Sequence, residues 1–417
     1  MWLREGRVNM EQIGIELEQA VEIILNSVDE MERTQLIFTK EANGRILAEE
    51  IYAPFDNPPF HRSPLDGFAL RSEDLTGASK AAPKSIQVID TVYAGGYCNK
   101  TVKQGEAVRI MTGAPIPDGA DCVIRLEDIE EVPSDEKTCI LVDKELKHNE
   151  NFCFKGEDVK KDTLLLQKGV KLTYIEQGIL SSLGFDQIKV YDKLRVAVFA
   201  TGDELVPPGT ELTPGKIYDS NLLMIYARLC EFGITPIIAK HVSDDPVKVA
   251  EAIKMSCKSV DFVVTTGGVS VGDKDIFHEV LPILGAKRLF WKVNLKPGTP
   301  AMFAIYEGKP MFHLSGNPFA AATTFELLVR PYIAKAGMDE SLYTKRKKVI
   351  LEDDFIKISK GRRFIRGKAE DGKVSVPPAA KHSSGMLASM AGCNCLIDIP
   401  AGSDELHKGD EVEILLL

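Results

Sequence analysis

TTGGVSVGDKD, residues 265–275, is the stretch on which the reading of this chain turns. It follows an apolar run over residues 261–266 and precedes a helical pattern over residues 276–284. In an open α/β sheet, ligands bind beyond the carboxyl ends of the strands. A glycine-rich turn there lets backbone N–H groups approach an anion, and the helix start adds a partial positive charge. Gly267, Gly268, Ser270 and Gly272 are therefore candidates for an anion cradle. Asp273 and Asp275 are too acidic to touch phosphate directly and suit a Mg2+ ion that bridges to phosphate oxygens. The plainer and less favoured alternative is a tight loop with Asp275 as a helix N-cap. The same letters spell Gly268-x-Ser270-x-Gly272, the form of a nucleophile elbow. A serine hydrolase needs an acid and then a histidine downstream. His313 precedes any good acid and His382 falls in a C-terminal β segment, so that alternative is the weaker one.

Outward from this stretch, strands alternate with helices over residues 194–337. RVAVFA, residues 195–200, is a continuous apolar run that predicts a strand buried on both faces. Helical patterns over residues 222–232, 246–257, 276–284 and 318–336 alternate with strand-like runs at 234–242, 261–266, 289–295, 301–305 and 311–314. Ser220 or Asn221 is the expected cap of the first of these helices. This alternation predicts a doubly wound parallel-sheet α/β domain. On its N-terminal side, residues 54–150 are rich in Pro, Gly and short β-type runs and form an inserted β domain. Residues 10–53 and 151–193 make a discontinuous helical linker domain, with helices expected at 11–25, near 39–48 and over 168–183, where Thr173 is the candidate N-cap. Residues 345–417 return to β texture as a C-terminal β domain.

The chain has 417 residues, 44% hydrophobic and 27% charged, with net charge −10. That balance argues against a nucleic-acid surface, which needs a basic footprint. No apolar run approaches the roughly 18 residues of a membrane span. Eight scattered cysteines form no paired C-x-x-C knuckles, and their default setting is the reducing cytoplasm. An acidic protein that binds oxyanions must gather cations locally or recruit a metal.

Several strand ends offer those groups. TGDEL, residues 201–205, places Glu204 after one strand, and Asp244 and Asp245 follow the next. Together with Asp275 they put acids at three strand ends, which favours a metal. In WKVNLKPGTP, residues 291–300, Lys292, Asn294 and Lys296 share one strand face by the two-residue period, a cationic face for phosphate or oxyanion. SGNP, residues 315–318, sets Ser315, Gly316 and Asn317 at a strand-to-helix transition, again an anion cradle. SPLDGFA (63–69), RIMTGAPIP (109–117), GRRFIRG (361–367) and HSSGM (382–386) complete the set.

In this order the motifs resemble the molybdopterin molybdenumtransferase family, the group of MoeA and the gephyrin E domain, from about Met10 to the C-terminus. The resemblance implies a four-domain homodimer that inserts molybdate into adenylylated molybdopterin with Mg2+-dependent release of AMP. It implies catalytic roles for Asp66, Glu204, Asp275, Lys292 and Lys296, and metal ligation by Glu204, Asp244 and Asp275. Thr112, Asp158, Arg366 and Ser384 match substrate-binding positions. The family often reads G-S-H where this chain has Ser383-Ser384-Gly385. A molybdopterin adenylyltransferase is the alternative of similar α/β pattern, but it has no need of flanking β domains. A non-catalytic scaffold would not require the acidic set.

Overall fold

The computed structural model describes residues 12–133, 138–269 and 275–417. The chain divides into two compact units, residues 36–189 and residues 1–35 with 190–417.

The larger unit is built on a seven-stranded sheet. Its strands are β1 (Gln12–Ile15), β2 (Val196–Thr201), β3 (Ile238–Val242), β4 (Phe262–Thr266), β5 (Lys287–Val293), β6 (Met302–Tyr306) and β7 (Lys309–Leu314), in the order β1-β5-β6-β7-β4-β2-β3. Strands β7, β4, β2 and β3 pair in parallel, as the βαβ alternation predicts. Strand β6 is antiparallel to both neighbours, because only Glu307 and Gly308 separate it from β7 and so short a link can only turn back. Every residue of β2 and of β4 is buried. Ala197, Phe199 and Val263 face a core closed by the helices Pro246–Ser256 and Phe277–Leu284. On the other face, Phe262 and Phe312 meet Tyr332 of the helix Arg330–Ala336. Helices thus cover both faces, and the strand ends are left free for chemistry.

A closed five-stranded barrel follows: β8 (Arg346–Leu351), β9 (Arg363–Glu370), β10 (Lys373–Ser375), β11 (Cys395–Ile399) and β12 (Glu411–Leu416). Closure removes the exposed sheet edges that short strands would otherwise present.

The smaller unit holds a six-stranded sheet in the order Cys122–Arg125, Gly67–Leu70, Glu106–Ile110, Lys84–Val92, Thr138–Val142 and Ile129–Pro133. It also holds a two-stranded ribbon, Ile51–Tyr52 with Leu164–Leu166, and the helix Tyr174–Ser182. Thr173 caps that helix in a reciprocal capping box with Glu176, as its position predicts.

Four expectations are corrected. The first helix starts only at Leu17. Residues Gln12–Ile15 instead extend the sheet beside β5, where Ile15 is buried and Ile13 exposed, a period of two rather than 3.6. Near residue 39 there is a single 3-10 turn, Thr39–Glu41, since Asn43-Gly44 ends any helix there and Gly44 has a φ of 73°. The expected helix over 318–336 contains a π-helical segment, Phe325–Val329, between Pro318–Thr324 and Arg330–Ala336. Neither Ser220 nor Asn221 caps the helix Asn221–Glu231 with its side chain; Asp219 does, its Oδ1 accepting from the Leu222 N–H at 3.1 Å.

Candidate functional site

The glycine-rich turn begins where β4 and β7 end. Gly267 has a φ of 84°, and a Cβ there would lie 2.2 Å from the Thr201 carbonyl oxygen, so only glycine lets the two strand ends approach this closely. Its N–H donates to the Leu314 carbonyl, and a Cβ added at Gly316 would lie 3.5 Å from the Gly267 Cα. Gly267, Gly268, Ser315, Gly316 and Asn317 therefore meet at one sheet edge. Ser270, Gly272 and Asp273 lie outside the described residues.

Beside that edge opens a cavity of about 640 Å³. Val269, Ser315 and Asn317 line it from the sheet, and Lys296, Gly298 and Thr299 from the loop after β5. Lys357, Arg363, His382, Ser383 and Ser384 line it from the barrel. Three of these residues are permanently cationic and none carries a carboxylate, in a chain of net charge −10. Burial pushes His382 below its ordinary pKa, and the cations Arg366, Lys357 and Arg363 push the same way. The cavity is thus electropositive and lined by hydroxyls and an amide, a set suited to a tetrahedral oxyanion.

The structure separates the two lysines that the sequence places on one strand face. Strand β5 ends at Val293, and Lys292 takes a φ of 64°, which breaks the two-residue period. The Lys292 ammonium sits 3.9 Å from the Trp291 ring centroid and does not line the cavity. Asn294 turns toward the N-terminal strand and donates to the Gly14 carbonyl and Glu16. Only Lys296 reaches the cavity.

Arg366 is corrected in the same way. It is fully buried, lies 3.9 Å from the Phe319 ring centroid, and donates to the carbonyls of Met386 and Ser383. It clamps the loop that carries Ser384 and is not itself a cavity wall. Arg363, three residues earlier on β9, lines the cavity. Sequence reading missed Arg363, Lys357 and Thr299 as site residues. The GRRFIRG stretch held the signal for Arg363, because it offers three guanidinium groups suited to an oxyanion within seven residues.

The acids at the strand ends form a different group from the one expected. Asp244 Oδ2 accepts from the Asp203 N–H at 3.3 Å, and the Asp244 N–H donates to Asp203 Oδ1 at 3.2 Å. Burial raises the pKa of Asp244, and the neighbouring Asp203 and Glu204 raise it further. Its Oδ1 is buried without a hydrogen-bond partner. Glu204 and Asp244 therefore do share a neighbourhood, with Asp203 as the third member. Asp275 does not join them. It is buried, accepts from the Phe277 N–H at 3.0 Å as a helix cap, and lies 3.4 Å from His278 Nε2. His278 in turn meets edge-on the Trp291 ring over which the Lys292 ammonium lies. Among the described residues no group of three His, Cys, Asp or Glu side chains is placed to hold a metal ion, so the convergence of Glu204, Asp244 and Asp275 is not found.

The hydrolase alternative loses its histidine. His313 is fully buried, bonded to Thr265 Oγ1 at 2.9 Å, and burial alone pushes its pKa down to about 3. His382 lines the oxyanion cavity instead.

In the smaller unit, Asp66 accepts from both the Thr112 N–H and the Thr112 hydroxyl at 2.7 Å. These bonds hold the Asp66 carboxyl below its ordinary pKa. Asp158 is exposed and accepts from Asn57 Nδ2 at 3.0 Å.

Three family models match the chain: the MoeA N-terminal region (domain I and II) over residues 15–184, the probable molybdopterin binding domain over 197–335, and the MoeA C-terminal region (domain IV) over 348–417. A molybdopterin molybdenumtransferase of Staphylococcus epidermidis is 38% identical over 404 residues, covering 96% of this chain and 95% of that protein. Its Bacillus subtilis counterpart is 36% identical over 386 residues, covering 92% and 90%. The crystal structure of a molybdopterin biosynthesis MoeA protein from Pyrococcus horikoshii superposes with a TM-score of 0.85 at 33% identity, covering 97% of this chain and 99% of that one.

Proposed function

Because the chain belongs to the MoeA family of molybdopterin molybdenumtransferases, which insert molybdenum into molybdopterin, we propose that its substrates are molybdate and adenylylated molybdopterin and that AMP is released. The observation that carries this reading is the cavity with Lys296, Lys357 and Arg363 in its wall and, among the described residues, no carboxylate. A dianion entering it exchanges water for charge-assisted hydrogen bonds. Ser315, Asn317, Thr299 and Ser384 offer further donors without adding charge. The neutral His382 ring already spends its one N–H on the Pro377 carbonyl and offers the anion a donor only when protonated. The backbone of Gly268 borders the same edge and is assigned the phosphate portion of the nucleotide, while Gly267, its N–H engaged by the Leu314 carbonyl, shapes the turn.

We also propose Mg2+ as the cofactor. Mg2+ commonly takes only one or two protein carboxylates and keeps water and phosphate oxygens for the rest of its shell, so the pair Glu204 and Asp244, with the unpaired buried Asp244 Oδ1, fits a hard cation although no three side chains converge among the described residues. Glu204 and Asp244 are the ligands this supports, while Asp275 orients the start of its helix and His278. When bound, the ion supplies Lewis-acid polarisation of phosphate oxygens. Asp66, kept ionised by Thr112, is assigned a catalytic role, with Thr112 and Asp158 as substrate contacts of the smaller unit. Lys292 is assigned to phosphate charge on the family resemblance, its ammonium lying over the Trp291 ring outside the cavity. A homodimer is proposed on the family resemblance. A cytoplasmic setting is proposed on the eight free cysteines, and among the described residues no helix is long and apolar enough to cross a membrane.

The test incubates purified protein with adenylylated molybdopterin, Mg2+ and either molybdate or tungstate, and follows AMP. Release that depends on both oxyanion and divalent cation is expected. Release that proceeds equally without any oxyanion overturns the reading.

A further inference from the structure

Among the described residues, three buried polar atoms near the sheet edge have no hydrogen-bond partner. Asp219 is 7% exposed; its Oδ1 accepts from the Leu222 N–H, while its Oδ2 is buried without a partner. Asn221 is also 7% exposed; its Nδ2 donates to the Gly316 carbonyl at 2.8 Å, and its Oδ1 is unpaired. Thr266, the last residue of β4, is 1% exposed with an unpaired hydroxyl. Gly316, whose carbonyl holds Asn221, leaves room for only 3.5 Å between an added Cβ and the Cα of Gly267, the residue after Thr266, so the two sides of this set are neighbours. Buried polar groups in folded proteins are nearly always paired, so an orphan of this kind needs an explanation. A buried carboxylate oxygen is the most demanding of the three, because it accepts only.

We infer that Asp219 reads the pyrimidine edge of the pterin ring, with Asn221 Oδ1 as a second acceptor. This rests on the assignment of molybdopterin as substrate. The chemistry selects the ligand. A pterin carries a 2-amino group beside the N3–H, two adjacent donors in one plane, which is the arrangement a carboxylate receives in bidentate fashion. Asp219 Oδ2 is free and Oδ1 keeps a second lone pair, so both oxygens can accept at once. Adenine presents its amino group next to an acceptor nitrogen and cannot satisfy both oxygens. A site built on buried acceptors also rejects a ring that lacks the donors, since the carboxylate would then stay unpaired.

The test uses fluorescence titration of the full-length protein with pterin-6-carboxylate and lumazine-6-carboxylate, which differ in having an amino group or an oxygen at position 2. The parent is expected to prefer the pterin by at least tenfold. Asp219→Asn keeps an Oδ1 for the Leu222 N–H, and circular dichroism checks that it folds. It is expected to lose at least tenfold in pterin affinity and to abolish or invert the preference, because its amide donates where the carboxylate accepted. A purely structural role for Asp219 would lower the melting temperature without exchanging one ring for the other. Equal affinities for the two rings in the parent, or an unchanged preference in Asp219→Asn, overturn the inference. Equal loss of AMP binding in the variant also overturns it and points to adenine. Should the bare rings bind too weakly to titrate, the KM for adenylylated molybdopterin decides: a tenfold rise in Asp219→Asn supports the inference and an unchanged KM sinks it. Oxyanion-dependent AMP release by the parent is measured alongside, so a failure of the substrate assignment is seen separately from a failure of the ring contact.

Discussion

Lys296 and Arg363 are joined through their backbones in a parallel bridge: the Lys296 N–H donates to the Arg362 carbonyl at 3.0 Å, and the Phe364 N–H donates to the Lys296 carbonyl at 2.7 Å. One residue belongs to the loop after β5 of the sheet and the other to the first strand turn of β9 in the barrel. The bridge fixes two cations in one wall, where neither could be placed by its own element alone. Gly298 supports the same loop, since its φ is 103° and a Cβ there would lie 2.3 Å from Thr324 Cγ2.

The first prediction follows directly. Lys296→Ala and Arg363→Ala should each weaken molybdate binding by roughly 10- to 100-fold, the worth of one hydrogen bond to a charged group at about 1.5–3 kcal/mol. Lys292→Ala should cost clearly less, because its ammonium lies on the Trp291 ring outside the cavity. Calorimetric titration with molybdate checks this. Equal losses for Lys292 and Lys296 would return the cationic site to the strand face.

The second concerns His382, which is held below its ordinary pKa by burial and by the surrounding cations. Neutral imidazole is therefore the form present near pH 7. A bound dianion stabilises the protonated ring, so its pKa should rise when molybdate is added. NMR titration of the imidazole reads the shift. An unchanged pKa at saturating molybdate would mean that the anion sits elsewhere.

The third concerns Asp244, whose pKa is raised by burial and by the acids beside it. A carboxyl with a raised folded-state pKa binds more protons in the folded form, so stability should fall as pH rises from the unfolded value through the folded one. Asp244→Asn removes that cost and should melt at or above the parent temperature without Mg2+. It should also lose the stabilisation that Mg2+ gives the parent, about 2.7 kcal/mol at a hundredfold excess over Kd. Thermal unfolding between pH 4 and 8, with and without Mg2+, is the measurement. Equal Mg2+ stabilisation of parent and variant would remove Asp244 from the metal site.

The fourth concerns Arg366. Its guanidinium bonds two loop carbonyls and stacks on Phe319, and it is fully buried. Arg366→Met keeps most of the volume but leaves both carbonyls unpaired, at roughly 1–3 kcal/mol for each buried group. Unfolding should shift accordingly, and molybdate affinity should fall because the loop carrying Ser384 loses its anchor. Weakened binding with unchanged stability would make Arg366 a direct ligand after all.

Much of this architecture was legible in the chain itself. The apolar run over 195–200 announced a strand buried on both faces, because a parallel sheet covered by helices has no wet side. Thr173 and its partner Glu176 announced a helix start through local hydrogen bonds alone. The glycines at 267 and 268 announced a close approach of backbone, which is a property of the residue and its neighbours in sequence.

What the sequence determined by itself, then, was whatever depends on neighbours in the chain: strand and helix periods, caps, and the glycine turn at the sheet edge. It could not say which charged groups share a space. Lys296 and Arg363 stand 67 positions apart, and Asp203 and Asp244 stand 41 apart, yet each pair is joined by backbone or side-chain hydrogen bonds. One residue in the left-handed region, Lys292, was enough to turn an expected row of cations away from its neighbour. Side-chain direction is set by the exact backbone dihedrals and by packing against distant elements. Only the tertiary structure therefore decided that one cavity is walled by Lys296, Lys357 and Arg363, and that Asp275 accepts from the start of its own helix.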